Sequence, residues 1–384
     1  MPHDHSVPHD HRAPITARER ITNLDTVRGV ATLGILLMNV VSYGLVSAAY
    51  FNIGASGSDT WYDRTVGLLG EVFIDQKTMG LFSMLFGVGI VVFADRAAAK
   101  GQRPVRLSLW RNVLLFGIGL LHTLLWDGDI LTIYAICSPV LLLVRNLSPK
   151  LLGAVGTALV MASGAWAFAT HAWLDGDYAG LGSVWFIDGS GESDAVGLYL
   201  LGDFFLRSLG MMLIGVALYR ADIVQGRRPA DFYRRIVRWG LGLGLPLAAI
   251  AAGLQQFNDW EASTALVGWA LNTFATPLVA IGYLGVITLW NQRPETAWHL
   301  RIRGVGRMAL TNYLSQTVIG ILVLRVVLDH DSLGRLALVG FVVAVWALQV
   351  AWSKPWLDRF RFGPCEWLWR MGTYRSRQPL ILER

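Results

Sequence analysis

Apolar residues dominate this chain in runs long enough to cross a bilayer, and short polar stretches punctuate them. Runs of about twenty apolar residues with few charges read as membrane-spanning helices. The pattern places such helices over residues 21–50, 71–98, 151–173, 195–219, 240–254, 266–290, 305–328 and 336–352. A helical hairpin over 111–134 joins them, with the tight turn Trp126-Asp127-Gly128-Asp129 between its arms. Residues 55–70 read as a connection with a short amphipathic helix. The expected architecture is all-α: a polytopic integral membrane bundle of about ten spans, the arm after Asp129 being short for a full crossing.

The polar loops orient the bundle. Arg96, Lys100, Arg103, Arg106 and Arg111 form one basic loop, and Arg145 with Lys150 another. Arg220, Arg227, Arg228, Arg234, Arg235 and Arg238 make a third, and Arg293, Arg301, Arg303 and Arg307 a fourth. Between them lie loops poor in Lys and Arg, such as 174–194, which has neither. Basic loops stay on the cytoplasmic side, so both termini are expected there, in a bacterial cytoplasmic membrane. Three regions result: a His-containing tail over 1–20, a transmembrane domain over 21–352, and a basic, Trp-rich interfacial tail over 353–384.

Composition agrees with this reading. Of 384 residues 54% are hydrophobic and only 16% charged, where soluble domains carry about 25% charged residues. Mean hydropathy is +0.45. The net charge of +6 follows from topology and does not argue for nucleic acid. Two cysteines, Cys137 and Cys365, give no disulfide framework. The first apolar run is long enough to span and reads as an uncleaved helix. No Walker loop, strand-borne GxGxxG or HExxH occurs. The repeated PHDH at residues 2–5 and 8–11 can bind metal or be a plain polar tail; no metal is expected.

Against that apolar background the ionisable residues mark candidate chemistry, because a charge at membrane depth is costly. His122 lies inside the first arm of the hairpin, just before Asp127 and Asp129, either of which can orient its imidazole. Arg111 is eleven residues earlier, which is about 20° in helical phase and about 16 Å along the axis. Arg111 can hold an anion there or simply anchor the helix at the positive side. On the first helix Asp25 and Arg28 can pair, with Asn39 deeper on nearly the same face. That stripe either lines a cavity or locks the helix to its neighbours. Lys77 either snorkels to the interface or points inward as an anion ligand. Thr311, Asn312 and Gln316 share one side of the span over 305–328.

Several ordered motifs resemble the YeiB-like bacterial membrane proteins, the domain-of-unknown-function family DUF418. These are RITNLDTVRGVATLGILLMN at 20–39, LFSMLFGVG at 81–89, GIGLLHTLLWDGDILTIYA at 117–135, GRMALTNYLSQT at 306–317 and GPCEWLWRMGTY at 363–374. That family is similar to a wider group of membrane acyltransferases, including the acyltransferase-3 proteins and the lysosomal heparan glucosaminide acetyltransferase. The resemblance implies acyl transfer from a cytosolic acyl-CoA to an acceptor across the membrane, at a membrane-embedded histidine. Acyltransferase-3 proteins carry an Arg/His-x10-His spacing in their first helix; here Arg111 and His122 show it in the third.

Two functions compete at this point. As an acyltransferase, the protein would use His122 as base or transient nucleophile with Asp127 or Asp129 orienting it, and Asp25, Arg28 and Asn39 lining the same cavity. Arg111, Lys77, Asn312 and Gln316 would hold the acyl-CoA co-substrate. As a transporter or exporter, the same groups would form a proton relay or substrate path, although the halves show no repeat. A non-catalytic membrane partner protein is the third reading. The expected partners are the lipid bilayer and a small-molecule, glycan or lipid acceptor, with oligomerisation open. A cavity continuous to both faces favours transport, and a cytosolic basic funnel ending at His122 favours acyl transfer.

Overall fold

A computed structural model describes residues 21–382. The His-containing tail over 1–20 lies outside the described residues. Thirteen α-helices occur in them, and strand pairing is limited to one bridge, Phe360 to Ile381. In chain order the helices are α1 (Thr22–Gly44), α2 (Trp61–Phe73), α3 (Lys77–Ala99), α4 (Pro104–Thr123) and α5 (Leu131–Val144). Then come α6 (Pro149–Leu174), α7 (Asp194–Arg220), α8 (Ala230–Phe257) and α9 (Ala262–Asn291). Four more, α10 (Ala297–Arg307), α11 (Ala309–Ile321), α12 (Arg335–Arg359) and α13 (Pro364–Tyr374), complete the bundle.

Among the described residues nine helical stretches are long and apolar enough to cross a membrane, counting Trp61–Ala99 as one. The fourteen residues of α5 bring the number to ten. At 1.5 Å per residue α5 covers only about 21 Å, short of a hydrocarbon core of about 30 Å. The protein is therefore an all-α, multi-pass membrane bundle. Antiparallel pairs α6/α7 and α8/α9 pack along their lengths, and α1 runs through the centre against α3, α10, α11 and α12. The α4/α5 hairpin lies at the edge: 22% of the apolar window of α4 is buried, against 72% for Trp61–Ala99. Its outward Leu121 and Leu124 suit lipid, which rewards apolar surface as the core does.

Helix ends depart from the hydrophobic pattern where polar chemistry intervenes. α1 stops at Gly44 instead of running to residue 50, because the Arg325 guanidinium takes its terminal carbonyls. Arg325 Nη2 donates to Ser42 O (2.5 Å) and Nε to Tyr43 O (3.1 Å), a favourable place for a cation. The span expected over 71–98 is broken at Ile74–Gln76, so Glu71 belongs to the preceding helix. Gln76 sits at φ 59°, a region L-residues rarely adopt. It is held there by Thr273 and Thr276 of α9, whose hydroxyls donate to its side-chain oxygen. Helix α8 begins at Ala230, ten residues before the expected 240, placing Arg234, Arg235 and Arg238 on a helix rather than in a loop. The span expected over 305–328 breaks at Met308 (φ −111°, ψ 31°), separating α10 from α11.

Close approach of α1 to α10 fixes one wall of the site. A Cβ on Gly29 would strike the carbonyl of Ile302, and one on Gly306 the carbonyl of Asp25. Small residues at such crossings let helix backbones touch.

Candidate functional site

Where the basic loops collect, the bundle encloses a cavity of about 720 Å³, within the size range of small-molecule sites. Helices α1, α3, α4, α5, α10, α11 and α13 contribute to its walls. Its deeper wall is apolar, with Phe82, Leu85, Phe86, Leu115 and Leu131. Its outer part carries seven cations: Arg28, Arg96, Lys100, Arg111, Arg307, Arg361 and Arg370. Two carboxylates, Asp25 and Glu366, stand against them.

Both carboxylates are already engaged. Asp25 Oδ1 lies 3.3 Å from Arg28 Nη1, the i,i+3 pairing that helical spacing allows. Glu366 caps α11: its Oε1 accepts from the backbone N–H of Leu310 (2.7 Å) and Thr311 (3.1 Å), and its Oε2 from Thr311 Oγ1 (2.6 Å). A carboxylate at a helix N-terminus meets both unpaired N–H groups and the positive end of the dipole. Burial pushes the Glu366 carboxyl above its ordinary range, and the hydrogen bonds from Thr311 and Leu310 pull against it. Among the described lining residues, cations outnumber carboxylates seven to two.

Arg111 is held by rings. Its guanidinium carbon lies 4.5 Å from the Phe93 ring centroid and 3.8 Å from that of Trp369, a cation–π arrangement. Trp369 Nε1 also donates to Arg111 O (2.8 Å), and Trp110 Nε1 to Gly372 O (3.0 Å), docking α13 along α4. Arg111 makes no ion pair among the described residues, so its N–H groups are available to an anion.

Tyr313 lines the cavity, and the His122 ring packs against it without lining the cavity itself. The two ring centroids are 5.2 Å apart. His122 Nδ1 donates to Asp129 Oδ1 over 2.8 Å, with both side chains buried. Asp129 is fixed from three further directions. Its Oδ2 accepts from Thr132 N (3.0 Å) and Thr132 Oγ1 (3.1 Å), and its Oδ1 from the Tyr313 hydroxyl (3.3 Å). With the carboxylate as acceptor Nδ1 is the donor, and in a neutral imidazole Nε2 is then the nitrogen with the lone pair. Nε2 is buried and has no hydrogen-bond partner among the described residues, which is uncommon enough to point to a function. Trp126 packs edge-on to the imidazole at 5.9 Å and donates to Ser42 Oγ (3.0 Å).

The structure thus brings His122 and Asp129 together, and places Arg111, Asp25 and Arg28 in the wall of the adjoining cavity. The other residues expected at the site lie elsewhere. Asp127 is exposed at the turn, because the chain turns Asp129 and not Asp127 inward to cap α5. Asn39 is buried outside the cavity lining, beside the Tyr43 hydroxyl, which pairs with Thr317 Oγ1 at 2.9 Å.

Lys77 does not snorkel; it is fully buried, and Nζ donates to Glu71 O and to Asn272 Oδ1. Asn312 and Gln316 lie away from the cavity and bind helices together. Asn312 Nδ2 donates to Val305 O and Ser353 Oγ, each at 3.2 Å. Gln316 Nε2 donates to Thr32 O (3.1 Å) and Gln349 Oε1 (2.9 Å). None of these three lines the basic cavity. Conversely Tyr313, Trp369 and Glu366 belong to the site, although sequence reasoning did not single them out. The motifs containing them were visible, but nothing in the spacing folds α13 back onto α4.

Such a molecule is a multi-pass helical membrane protein with a basic cavity adjoining a buried His–Asp pair. Comparison with known proteins makes the assignment specific. Residues 218–376 match the family described as Protein of unknown function (DUF418). The chain is 35% identical to the uncharacterized protein YeiB of Escherichia coli (strain K12), over 93% of this chain and 97% of that protein. It is 30% identical to the uncharacterized protein YxaH of Bacillus subtilis (strain 168), over 93% of this chain and 95% of that one. A 39.9 kDa protein encoded in the amylase 3' region of Bacillus acidopullulyticus is 27% identical, over 94% and 96%. The chain belongs to the YeiB-like DUF418 family. No solved structure matches it.

Proposed function

We propose that this protein is an acyl-CoA-dependent acyltransferase of the bacterial cytoplasmic membrane, with the basic end of the bundle facing the cytosol. One observation carries the reading: Tyr313 lines the arginine-rich cavity and packs against the histidine whose Nε2 has no partner among the described residues. Arginines suit phosphate oxygens through charge-assisted hydrogen bonds, and the apolar inner wall suits an acyl chain. The thioester end of the co-substrate then lies toward Tyr313 and His122.

In this scheme His122 Nε2 removes the proton from the acceptor hydroxyl or amine as that atom attacks the thioester carbonyl. The carbon–sulfur bond breaks, and the imidazolium returns the proton to the departing thiolate. Asp129 holds the ring in the tautomer with Nε2 free and steadies the imidazolium. The acceptor would be extracytoplasmic or lipid-linked. Transport is the weaker reading, because the basic cavity and the small outer cavity share no lining residue.

Purified protein in detergent, incubated with radiolabelled acetyl-CoA and longer acyl-CoAs, tests the proposal. Label bound or transferred by wild type and not transferred by His122→Ala supports it. No acyl-CoA binding at any chain length overturns it.

A further inference from the structure

A second polar chamber lies at the opposite, basic-poor end, and the scheme above does not use it. It is a cavity of about 30 Å³, room for about two waters or a polar group of a few heavy atoms. Glu71, Asp75, Asp203 and Arg207 line it together with aromatic rings, among them Tyr50 and Trp269.

Its charges do not balance. The carboxylates are Glu71 on α2, Asp75 in the turn, and Asp203 on α7; the cations are Lys77 on α3 and Arg207 on α7. α9 contributes the uncharged Asn272. Arg335 on α12 stands toward Glu71, but Asp63 accompanies it, so that pair adds no net charge. Counted in their ionised forms, these groups carry one more negative charge than positive.

The partners already taken show where that charge is available. Asp203 accepts from Arg207 Nη2 (2.6 Å) and from Ser163 Oγ. Lys77 is occupied by the Glu71 carbonyl and Asn272. Asn272 Nδ2 donates to Asp75 Oδ2 (2.9 Å), and the Gln76 backbone N–H also faces that carboxylate. No described residue donates to the Glu71 carboxylate. Independently, Arg207 is 4% exposed and its Nε–H is buried with no acceptor. The chamber therefore lacks both a cationic donor and a hydrogen-bond acceptor.

We infer that this chamber binds a small amino alcohol, its ammonium on Glu71 and Asp75 and its hydroxyl oxygen on Arg207 Nε. The charge supplied is the one missing, and the rings favour an organic ammonium through their π faces. A bare alkali ion would gain little from the rings and would leave Arg207 Nε without an acceptor. This assignment stands independently of acyl transfer.

Isothermal titration of the full chain in detergent with ethanolamine hydrochloride tests it, with ethylamine and sodium chloride as comparison ligands. We expect saturable ethanolamine binding that weakens at least tenfold in Glu71→Gln and in Asp75→Asn, and several-fold weaker binding of ethylamine. Thermal unfolding without ligand identifies a variant that has failed to fold, in which case the other carries the test. Absence of ethanolamine binding, or binding unchanged in the folded variants, overturns the site. Equal binding of ethylamine overturns the amino-alcohol class, and equal binding of sodium overturns an organic ligand.

Discussion

The two ends of the bundle hold opposite chambers. The basic end has a cavity of about 720 Å³ with seven cations against two engaged carboxylates. The other end has about 30 Å³ with three carboxylates facing two cations. On α3, Met79 lines the small chamber and Phe82, one turn on, lines the large one. Between them Tyr134 stacks on Phe82 at 6.1 Å and shares a 2.7 Å hydrogen bond with Ser83. A septum of aromatic side chains therefore separates an anion-seeking chamber from a cation-seeking one.

The largest expected effect falls at the histidine beside the basic cavity. His122→Ala lowers acyl transfer by about 10³-fold while leaving acyl-CoA binding nearly unchanged, because the base is lost and the cavity is not. Single-turnover transfer measured beside equilibrium binding checks both halves. Asp129→Asn comes next, lowering turnover by about 10²-fold, since an amide can donate to Nδ1 and turn the Nε2 lone pair into an N–H. A pH–rate profile that loses its imidazole limb in this variant distinguishes that cause from unfolding.

Arg111→Ala is smaller: KM for acyl-CoA rises about tenfold, equivalent to about 1.4 kcal/mol. Turnover at saturation stays within a few-fold, and ethanolamine binding at the far chamber is unaffected. Smallest in activity is Gln316→Ala, which leaves KM within twofold. Its effect is on stability, a loss of about 1–3 kcal/mol from the buried Gln349 Oε1 left without its donor, read by thermal unfolding. A rise in KM matching that of Arg111→Ala would return Gln316 to the binding site.

The fold was legible because its signal is long and redundant: apolar runs and basic loops declare spans whatever their neighbours do. Breaks were less legible. Gln76 is held at positive φ by Thr273 and Thr276, almost two hundred residues away, and local spacing carries no trace of that contact. The candidate site divides in the same way. His122 and Asp129 are seven residues apart within one hairpin, and the sequence alone paired them as one of two choices. Asp127 was the other, and only the direction of the turn separates them. Asn312 and Gln316 look identical in sequence to ligand-binding amides; Ser353 and Gln349 on α12 decide otherwise. Trp369 joins the site because the tail folds back onto α4, a tertiary event with no local signature.

The central claim is that an acyl-CoA occupies the basic cavity with its acyl end toward Tyr313. An acyl-CoA bearing a photoreactive group at the end of a short acyl chain measures this directly. After irradiation, mass spectrometry reads the labelled peptides. The account predicts adducts on the peptides carrying Tyr313 and Leu115, competed by unlabelled acyl-CoA and reduced in Arg111→Ala. Adducts confined to lipid-facing residues such as Leu121 and Leu124, and indifferent to competitor, would contradict it.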